Sequence, residues 1–339
     1  MNIIKRIINI NWNGVIPLIK QAHQQSKRSY LSLILDLYKC GKEGYTCAEY
    51  VMYDFHRNKD QSYRDTFISV RKHYPIITKE LGQNVEDTEF FDDKGLFNRN
   101  FKDIKGIDTL DLRVDELESF KKFISENPEF FIKTVDGYGG HEVKRVLRSE
   151  YPSMNDEELY HHFKNNKYYV IEQKIIQHSE MCKLSVNSVN TLRVVTMKDK
   201  DNNITAPFVI SRISLTESFL DNATLGGGYC IVGKDGIIHH DYEAVNPIIR
   251  TYDKNPINGF KFKGFKFPYF QESIDLCIEA SKRCKGHLIG WDIAISENGP
   301  VLIEANIGPG CDFLQTYNQL DEKHGRIKEF EEGLKIKLH

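Results

Sequence analysis

The segment from Gly290 to Asn306 constrains the fold of this chain more than any other stretch. Two runs of alternating apolar residues flank Glu297-Asn298-Gly299, and an Asn-Gly pair between such runs is a strong signal for a β-hairpin. Side chains on a strand alternate between the faces of the sheet, so Glu304 and Asn306 share one face. The segment therefore predicts a hairpin that carries polar side chains on one face of otherwise apolar strands.

The length of the hairpin loop decides where a third polar residue, Asp292, lies. A three-residue loop places Asp292 opposite Glu304, whereas a two-residue loop sends it to the other face. We predict the three-residue loop, because oxygen atoms of Asp292, Glu304 and Asn306 then converge. Hard oxygen ligands that leave room for water and phosphate suit Mg²⁺. The alternative is a polar sheet face exposed to water.

Similar β-rich runs, bounded by Gly, Asp and Asn, continue through the chain from about residue 90. They lie at 130–135, 144–147, 168–173, 191–197, 206–213, 229–232, 288–295 and 301–306. Helical stretches separate them at 114–126, 156–165 and 269–284. This pattern predicts a mixed α+β fold with largely antiparallel strand pairing.

The first part of the chain has helical rather than strand periodicity. Apolar residues recur at helical spacing at Val15, Ile16, Leu18, Ile19 and Ala22, at Leu31, Ile34, Leu35 and Tyr38, at Ala48, Val51, Met52 and Phe55, and at Phe67, Val70, Tyr74 and Ile77. Such stripes are typical of helices that bury one face. We expect a helical region over 1–87 whose apolar stripes pack against the rest of the chain.

Charge and cysteine usage limit the partners and the compartment. The net charge is −2 over 339 residues, so nucleic acid is not an expected partner. No run approaches the roughly 18 apolar residues of a transmembrane helix. The seven cysteines are dispersed without a CxxC pair, which is typical of free thiols in a reducing compartment. We expect a cytoplasmic protein.

A glycine-rich loop follows the apolar strand that ends at Lys133. Its glycines include Gly137, Gly139 and Gly140, and backbone N–H groups of glycine can approach a phosphate closely. A lysine beside the loop supplies a positive charge for phosphate oxygens. Neither the P-loop pattern nor the dinucleotide fingerprint is present. The segment predicts a phosphate-binding lid, with a plain turn as the alternative.

The next predicted strand ends in the polar residues of a linker. Glu172, Gln173, Lys174 and Ile175 can present backbone groups to an adenine base, and Glu180 is placed for ribose hydroxyls. A core strand that runs into an exposed loop explains this segment equally well.

Two arginines, Arg193 and Arg212, lie among apolar residues of predicted strands. A buried arginine has to be paired with a carboxylate or bound to an anion. Asn222 precedes three consecutive glycines, 226–228, a pattern that indicates close approach of the backbone to a ligand. A structural salt bridge is the alternative for each arginine.

Taken in this order, these segments resemble the ATP-grasp superfamily, and more closely its sugar-transfer-associated family. The resemblance is carried by Val189-Asn-Thr-Leu-Arg193, Asp221-Asn222 with the glycines at 226–228, Gly290-Trp-Asp-Ile-Ala294, and Glu304-Ala-Asn306. Lys94, in Phe91-Asp-Asp-Lys94-Gly-Leu-Phe97, matches the first phosphate lysine of that family. The similarity covers roughly 88–325.

The resemblance implies a helical N-terminal region followed by an ATP-grasp fold over 88–339. Within that fold it implies a lid and adenine subdomain at about 110–175 and a metal and substrate subdomain at 176–330. ATP and Mg²⁺ are the implied cofactors. The implied phosphate ligands are Lys94 and Lys133; the adenosine ligands are Glu172, Gln173, Lys174, Ile175 and Glu180; the metal ligands are Asp292, Glu304 and Asn306. Arg193, Arg212 and Asn222 would face the phosphoryl group or the acceptor.

Three functions are compatible with these residues. The leading hypothesis is a carboxylate–amine ligase that acts through an acylphosphate, on an acidic sugar or an amino acid in surface-polysaccharide biosynthesis. The alternatives are a small-molecule kinase with His141 or Asp221 as base, and a non-catalytic nucleotide-binding module. The oligomeric state is left open, with a homodimer among the alternatives. Because the first 85 residues are predicted to be helical, the acceptor site cannot be transferred from relatives that begin with an open α/β domain.

Overall fold

The computed structural model describes residues 12–82, 90–135, 143–185, 188–216, 227–245 and 248–339. The chain begins with the helices Trp12–Ser26 (α1), Tyr30–Lys42 (α2), Cys47–Met52 (α3), Gln61–Arg64 (α4) and Val70–Leu81 (α5). Side chains of Ser29, Thr46 and Asp60 accept hydrogen bonds from the first turns of α2, α3 and α4, which explains where these helices begin. In these ranges, no helix has the length and apolarity needed to cross a bilayer.

A smaller sheet occupies the middle of the chain. The elements there are Lys94–Asn100 (α6), Thr109–Asp111 (β1), Leu117–Glu126 (α7), Glu129–Lys133 (β2), Val143–Leu147 (β3), Asp156–Asn165 (α8), Val170–Gln173 (β4) and Ser179–Cys182 (α9). The described strands pair in the order β1-β4-β2-β3, all antiparallel. Phe120, Phe130 and Phe163 belong to one buried cluster, so α7 and α8 pack on this sheet.

A larger sheet comes next along the chain. Its elements are Thr191–Lys198 (β5), Ile204–Ser214 (β6), Gly227–Ile231 (β7), Tyr242–Ala244 (β8), Arg250–Tyr252 (β9), Phe270–Lys282 (α10), Leu288–Ser296 (β10), Gly299–Ile307 (β11) and Ile327–Leu334 (α11). The described strands lie in the order β11-β10-β5-β6-β7-β8-β9, again antiparallel. The predicted α+β composition with antiparallel pairing is therefore confirmed.

The two faces of the larger sheet are covered differently. Trp291 lies on the face that α10 covers, and its indole N–H donates to Ser281 on that helix over 3.0 Å. The opposite face packs against α5 and α11 through a cluster that includes Met197 and Leu288. Because side chains alternate, Asp292 shares this second face with Leu288. One end of that face is apolar and covered, and the other carries the polar side chains of the candidate site.

The predicted orientation of α2 is wrong. The stripe of Leu31, Ile34, Leu35 and Tyr38 faces outward, and the helix is buried through Leu33 and Cys40 instead. The reason is an ion pair that apolar periodicity does not reveal. Asp36 lies on the inward side, where it accepts from Arg64 over 2.9 and 3.0 Å and from Arg28 over 2.7 Å. Burying this ion cluster sets the rotation of the helix.

Candidate active site

The hairpin of β10 and β11 has a shorter turn than predicted. Ser296 pairs with Gly299, so the loop contains two residues and the predicted three-residue loop is wrong. Asp292 nevertheless pairs with Glu304, as predicted. A register shift between Asp292 and Ile293 leaves Ile303 without a partner, as in a β-bulge. The bulge supplies the extra residue that the turn lacks.

Lys105 holds this bulge in place. Its backbone carbonyl accepts from the Leu302 N–H over 3.0 Å. Its ammonium group donates to the carbonyls of Leu302 and Ile303 over 2.9 and 3.3 Å. Lys105 is fully buried, so these bonds satisfy carbonyls that have left the regular ladder. Sequence reasoning missed this residue, because a lysine before glycine in a polar stretch is typical of an exposed loop.

Two opposed carboxylates form the centre of the site. Asp292 accepts from Arg193 at both oxygens, over 2.7 and 2.6 Å, and from Arg212 over 2.9 Å. Burial raises the pKa of Asp292, but the two guanidinium groups outweigh it and hold that pKa below its usual value. Partial desolvation and the nearby Asp292 raise the pKa of Glu304, whose side chain remains open to the cavity. In this structure both arginines form the salt bridges that the sequence left open as the alternative.

The donor set fits Mg²⁺. Asp292 and Glu304 lie opposite each other on the paired strands, and each affects the pKa of the other. Facing like charges destabilise a strand pair unless a cation lies between them. Asn306 lies two residues beyond Glu304 on the same strand and offers an amide oxygen. The described residues contain no group of three His, Cys, Asp or Glu side chains that could hold a metal.

A second charge centre surrounds Glu172. Its carboxylate accepts from Lys133 over 2.5 Å and from Asn98 over 2.9 Å, and lies 3.7 Å from the ammonium of Lys105. Burial raises the pKa of Glu172, but the two lysines bring it to about 2. Burial lowers the pKa of Lys105 to about 8. The Glu172 side chain is thus engaged with lysines, and its backbone lies within the sheet between β1 and β2.

One cavity joins the two charge centres. Its lining residues are Phe91, Asp92, Lys94, Phe97, Asn98, Lys133, Glu172, Ile303, Glu304, Ala305 and Asn306. The Lys94 N–H donates to the Val135 carbonyl over 3.0 Å, which ties the start of α6 to the end of β2. The structure thereby brings both predicted phosphate lysines and two predicted metal ligands to the same cavity. Asp292, with its arginines, does not line this cavity but lies next to Glu304 on the neighbouring strand.

The remaining predicted ligands lie along the linker. Gln173 pairs with Asp108 through backbone and side chain, and Lys174 lies 2.8 Å from Glu129. Ile175 is half-buried. Glu180 is exposed and pairs with a nearby lysine over 2.6 Å. Asn222 and the lid glycines Gly137, Gly139 and Gly140 lie outside the described residues, as do the candidate bases His141 and Asp221.

Asn190 connects the linker to the large sheet. Its amide donates to the carbonyls of Met181 and Ser185 over 2.9 and 3.1 Å, and its backbone N–H donates to the Gln177 side chain over 2.6 Å. Asn190 is fully buried just before β5, so the linker is held against the strand that carries Arg193.

The sequence match to a known family agrees with this geometry. The sequence model of the sugar-transfer associated ATP-grasp family matches residues 77–331, about three quarters of the chain. This chain belongs to that family. The ATP-grasp fold predicted from the hairpin, the lid lysine and the arginine strand is thus confirmed, and α1 to α4 precede the matched region.

Solved structures give weaker similarities to this ATP-grasp protein. The D-alanine-D-alanine ligase from Coxiella burnetii is 13% identical at a TM-score of 0.37, over 67% of this chain and 50% of that one. The N5-carboxyaminoimidazole synthetase from Staphylococcus aureus, complexed with ADP, is 12% identical at a TM-score of 0.42, over 68% and 48%. The ATP-grasp ligase PsnB is 11% identical at a TM-score of 0.39, over 75% and 58%.

The chain thus spans about half the length of these solved structures. No curated protein matches its sequence. At these TM-scores the structural likeness does not bear on chemistry, and the family assignment rests on the sequence match.

Proposed function

We propose that this protein is a Mg-ATP-dependent carboxylate–amine ligase. The observation that carries the proposal is a cavity lined by Lys94, Lys133, Glu304 and Asn306 together. Two cations beside a set of oxygen donors suit a bound triphosphate and its metal. The family match to ATP-grasp proteins supports the same chemistry.

The proposed reaction has two steps. A carboxylate oxygen of the substrate attacks the γ-phosphorus of ATP, the bond to the β-phosphate oxygen breaks, and ADP leaves. An amine nitrogen then attacks the acyl carbon, inorganic phosphate leaves, and the nitrogen loses a proton. Both steps depend on neutralising the charge of phosphoryl and acyl oxygens more than on an enzymic nucleophile.

The residues of the cavity divide this work. Lys94 and Lys133 bind phosphate oxygens, and Glu172 keeps Lys133 oriented through its 2.5 Å contact. Arg193 and Arg212 orient Asp292 and bring positive charge to the acceptor side. Asp292, Glu304 and Asn306 would hold Mg²⁺, which supplies charge neutralisation at the phosphates when bound.

Other parts of the proposed site lie further along the chain. The backbone at 172–175 and the side chain of Glu180 would bind adenosine. The loop with Gly137, Gly139 and Gly140 would cover the phosphates, and Asn222 would face the acceptor. We assign the phosphate and adenine parts to a subdomain at about 110–175 and the metal and acceptor parts to 176–330.

The proposed substrates are an acidic sugar or an amino acid in surface-polysaccharide biosynthesis. The support for this class is the association of the family with sugar transfer.

A hydroxylamine trap tests the chemistry. The full chain is incubated with Mg-ATP and a panel of acidic sugars and amino acids, and ADP release is measured with and without amines. We expect ADP release with a productive carboxylate and amine pair, and a hydroxamate when hydroxylamine replaces the amine. A Glu304→Gln variant serves as the control for contaminating ATPase activity.

Two outcomes contradict the proposal. A phosphorylated alcohol without hydroxamate identifies a kinase on the same fold. A calorimetric titration without detectable binding of Mg-ATP identifies a module that does not use the nucleotide.

A further inference from the structure

The outward face of α2 lacks the polar surface expected of a water-facing helix. Its exposed residues are Tyr30, Leu31, Ile34, Leu35, Tyr38, Lys39, Gly41 and Lys42. Leu31 is 69% exposed and Leu35 is 55% exposed. Isolated apolar residues are common on protein surfaces, but a continuous apolar stripe on one helix marks an interaction site. We call this surface the α2 face.

The α2 face cannot turn inward. Leu33 and Cys40 are buried on the opposite side, and Asp36 is held there by Arg64 and Arg28. Rotating the helix would leave the buried Arg64 and the half-buried Arg28 without their carboxylate, which is far more costly than exposing leucines. The stripe is therefore a stable feature of the folded protein, and among the described residues no other element covers it.

The charges at the α2 face are positive. Lys39 and Lys42 are exposed at its C-terminal end, and the Lys42 ammonium lies 4.8 Å from the centre of the Tyr38 ring. The acidic residues nearest in sequence are turned away. Asp36 faces inward, and Glu43 is half-buried with its carboxylate 3.5 Å from the Gln61 amide. The partner of this face is therefore expected to be apolar and anionic.

We propose that the α2 face docks on an anionic lipid surface. A helix with an apolar stripe and lysines beside it lies in the plane of a membrane interface, with its apolar side chains among the acyl chains and its lysines at anionic head groups. Tyr30 and Tyr38 lie at the two ends of the stripe, and tyrosine favours the level of the head groups.

A second copy of the chain fits this face less well. In a symmetric dimer the same patch meets itself. An antiparallel symmetric pair would place Lys39 and Lys42 of each copy near the first turn of α2 in the other, and that turn has no acidic residue to balance them. Charge complementarity thus favours a lipid surface over self-association.

Vesicle sedimentation tests the inference with the full-length protein. We expect binding to vesicles of mixed zwitterionic and anionic phospholipid and little binding to purely zwitterionic vesicles. The double variant Leu31→Asp/Leu35→Asp should weaken binding at least about tenfold. Lys39→Gln and Lys42→Gln should each weaken it about fivefold. Thermal unfolding and nucleotide binding should stay unchanged, because none of these side chains is buried or near the cavity.

The matched control is Val114→Asp/Ile257→Asp, which alters two exposed apolar residues elsewhere in the chain. It should bind anionic vesicles like the wild type. If both double variants lose vesicle binding equally, or if Leu31→Asp/Leu35→Asp binds vesicles like the wild type, the lipid-binding surface lies elsewhere. Failure to bind vesicles, together with a dimer in sedimentation velocity that the α2 variant abolishes, would assign the face to a second copy. Either result overturns the proposal.

Discussion

The two sheets of this ATP-grasp protein each carry a buried carboxylate among cations. The two centres differ in the number of positive side chains relative to carboxylates. In the smaller sheet, Glu172 faces Lys133 and Lys105. In the larger sheet, Asp292 faces two arginines but also lies beside a second carboxylate, Glu304. The first centre has one cation more than it has carboxylates. The second has equal numbers, with two like charges side by side.

This difference separates the tasks of the two sheets. An excess cation at Glu172 attracts an anion, as a phosphate-binding centre requires. Adjacent carboxylates at Asp292 and Glu304 gain from a cation between them, as a metal centre requires. The two carboxylates of the larger sheet should also respond differently to neutralisation, because only one of them is held by arginines.

Removing the charge of Asp292 should have the largest effect. In Asp292→Asn, Arg193 and Arg212 lose the carboxylate that pairs with them. Breaking a buried ion pair in this way costs about 3–5 kcal/mol of unfolding free energy. We expect that loss in chemical denaturation, together with loss of ADP formation. Wild-type stability in Asp292→Asn would show that the arginines do not depend on this carboxylate.

Removing the charge of Glu304 should separate activity from stability. Glu304→Gln eliminates the repulsion from Asp292 and keeps the shape of the side chain. We expect stability equal to or above that of the wild type, while ADP formation falls at least about 100-fold. The measurement pairs denaturation with steady-state kinetics over a range of Mg²⁺ concentrations. A stability loss as large as that of Asp292→Asn would contradict the difference between the two carboxylates.

Replacing Lys105 should affect both centres moderately. Lys105→Met leaves the carbonyls of Leu302 and Ile303 unsatisfied, which costs about 1–3 kcal/mol, and removes one cation from Glu172. We expect half-maximal activity at a higher Mg²⁺ concentration, because the bulge that places Glu304 opposite Asp292 is no longer held and the metal binds more weakly. Lys102→Met, at an exposed lysine of the same segment, is the control. Unchanged Mg²⁺ dependence in Lys105→Met would show that the bulge forms without the lysine.

The pH dependence of Glu304 should be the smallest effect. Its pKa is raised in the folded protein, so between its ordinary value and that raised value the folded state binds more protons than the unfolded state. Stability without metal should therefore fall as pH rises through this interval. Binding of Mg-ATP should strengthen over the same interval, because a metal ligand has to be deprotonated. Thermal unfolding with and without Mg-ATP measures both trends, and Glu304→Gln should remove them.

Periodicity predicted most of the regular structure. The strands β2 to β7, β10 and β11 overlap the predicted runs, and α8 has the predicted bounds. The short strands β1, β8 and β9 were not predicted, because three residues carry too little alternation to be distinguished from a loop. The division into subdomains remains a prediction.

In the candidate site, too, the sequence predicted only those residues whose local sequence marks them. Lys94, Lys133, Glu304 and Asn306 were singled out from the sequence and line one cavity. Lys105 was not, because its role depends on a contact with residues almost 200 positions away. The pairing of Asp292 with Glu304 was predicted from a loop length that proved wrong, since nothing in the local sequence marks the bulge at Ile303.

The sequence by itself determined the family, the strands that carry the charged residues, and the order of those residues along the chain. These properties depend on the alternation of apolar and polar residues along the strands and on local side-chain chemistry. Only the tertiary structure decided the register of the hairpin, the pairing of Asp292 with two arginines, and the outward rotation of α2. Each depends on a buried charge meeting its partner from a distant segment, and the cost of leaving such a charge unpaired outweighs local apolar preference.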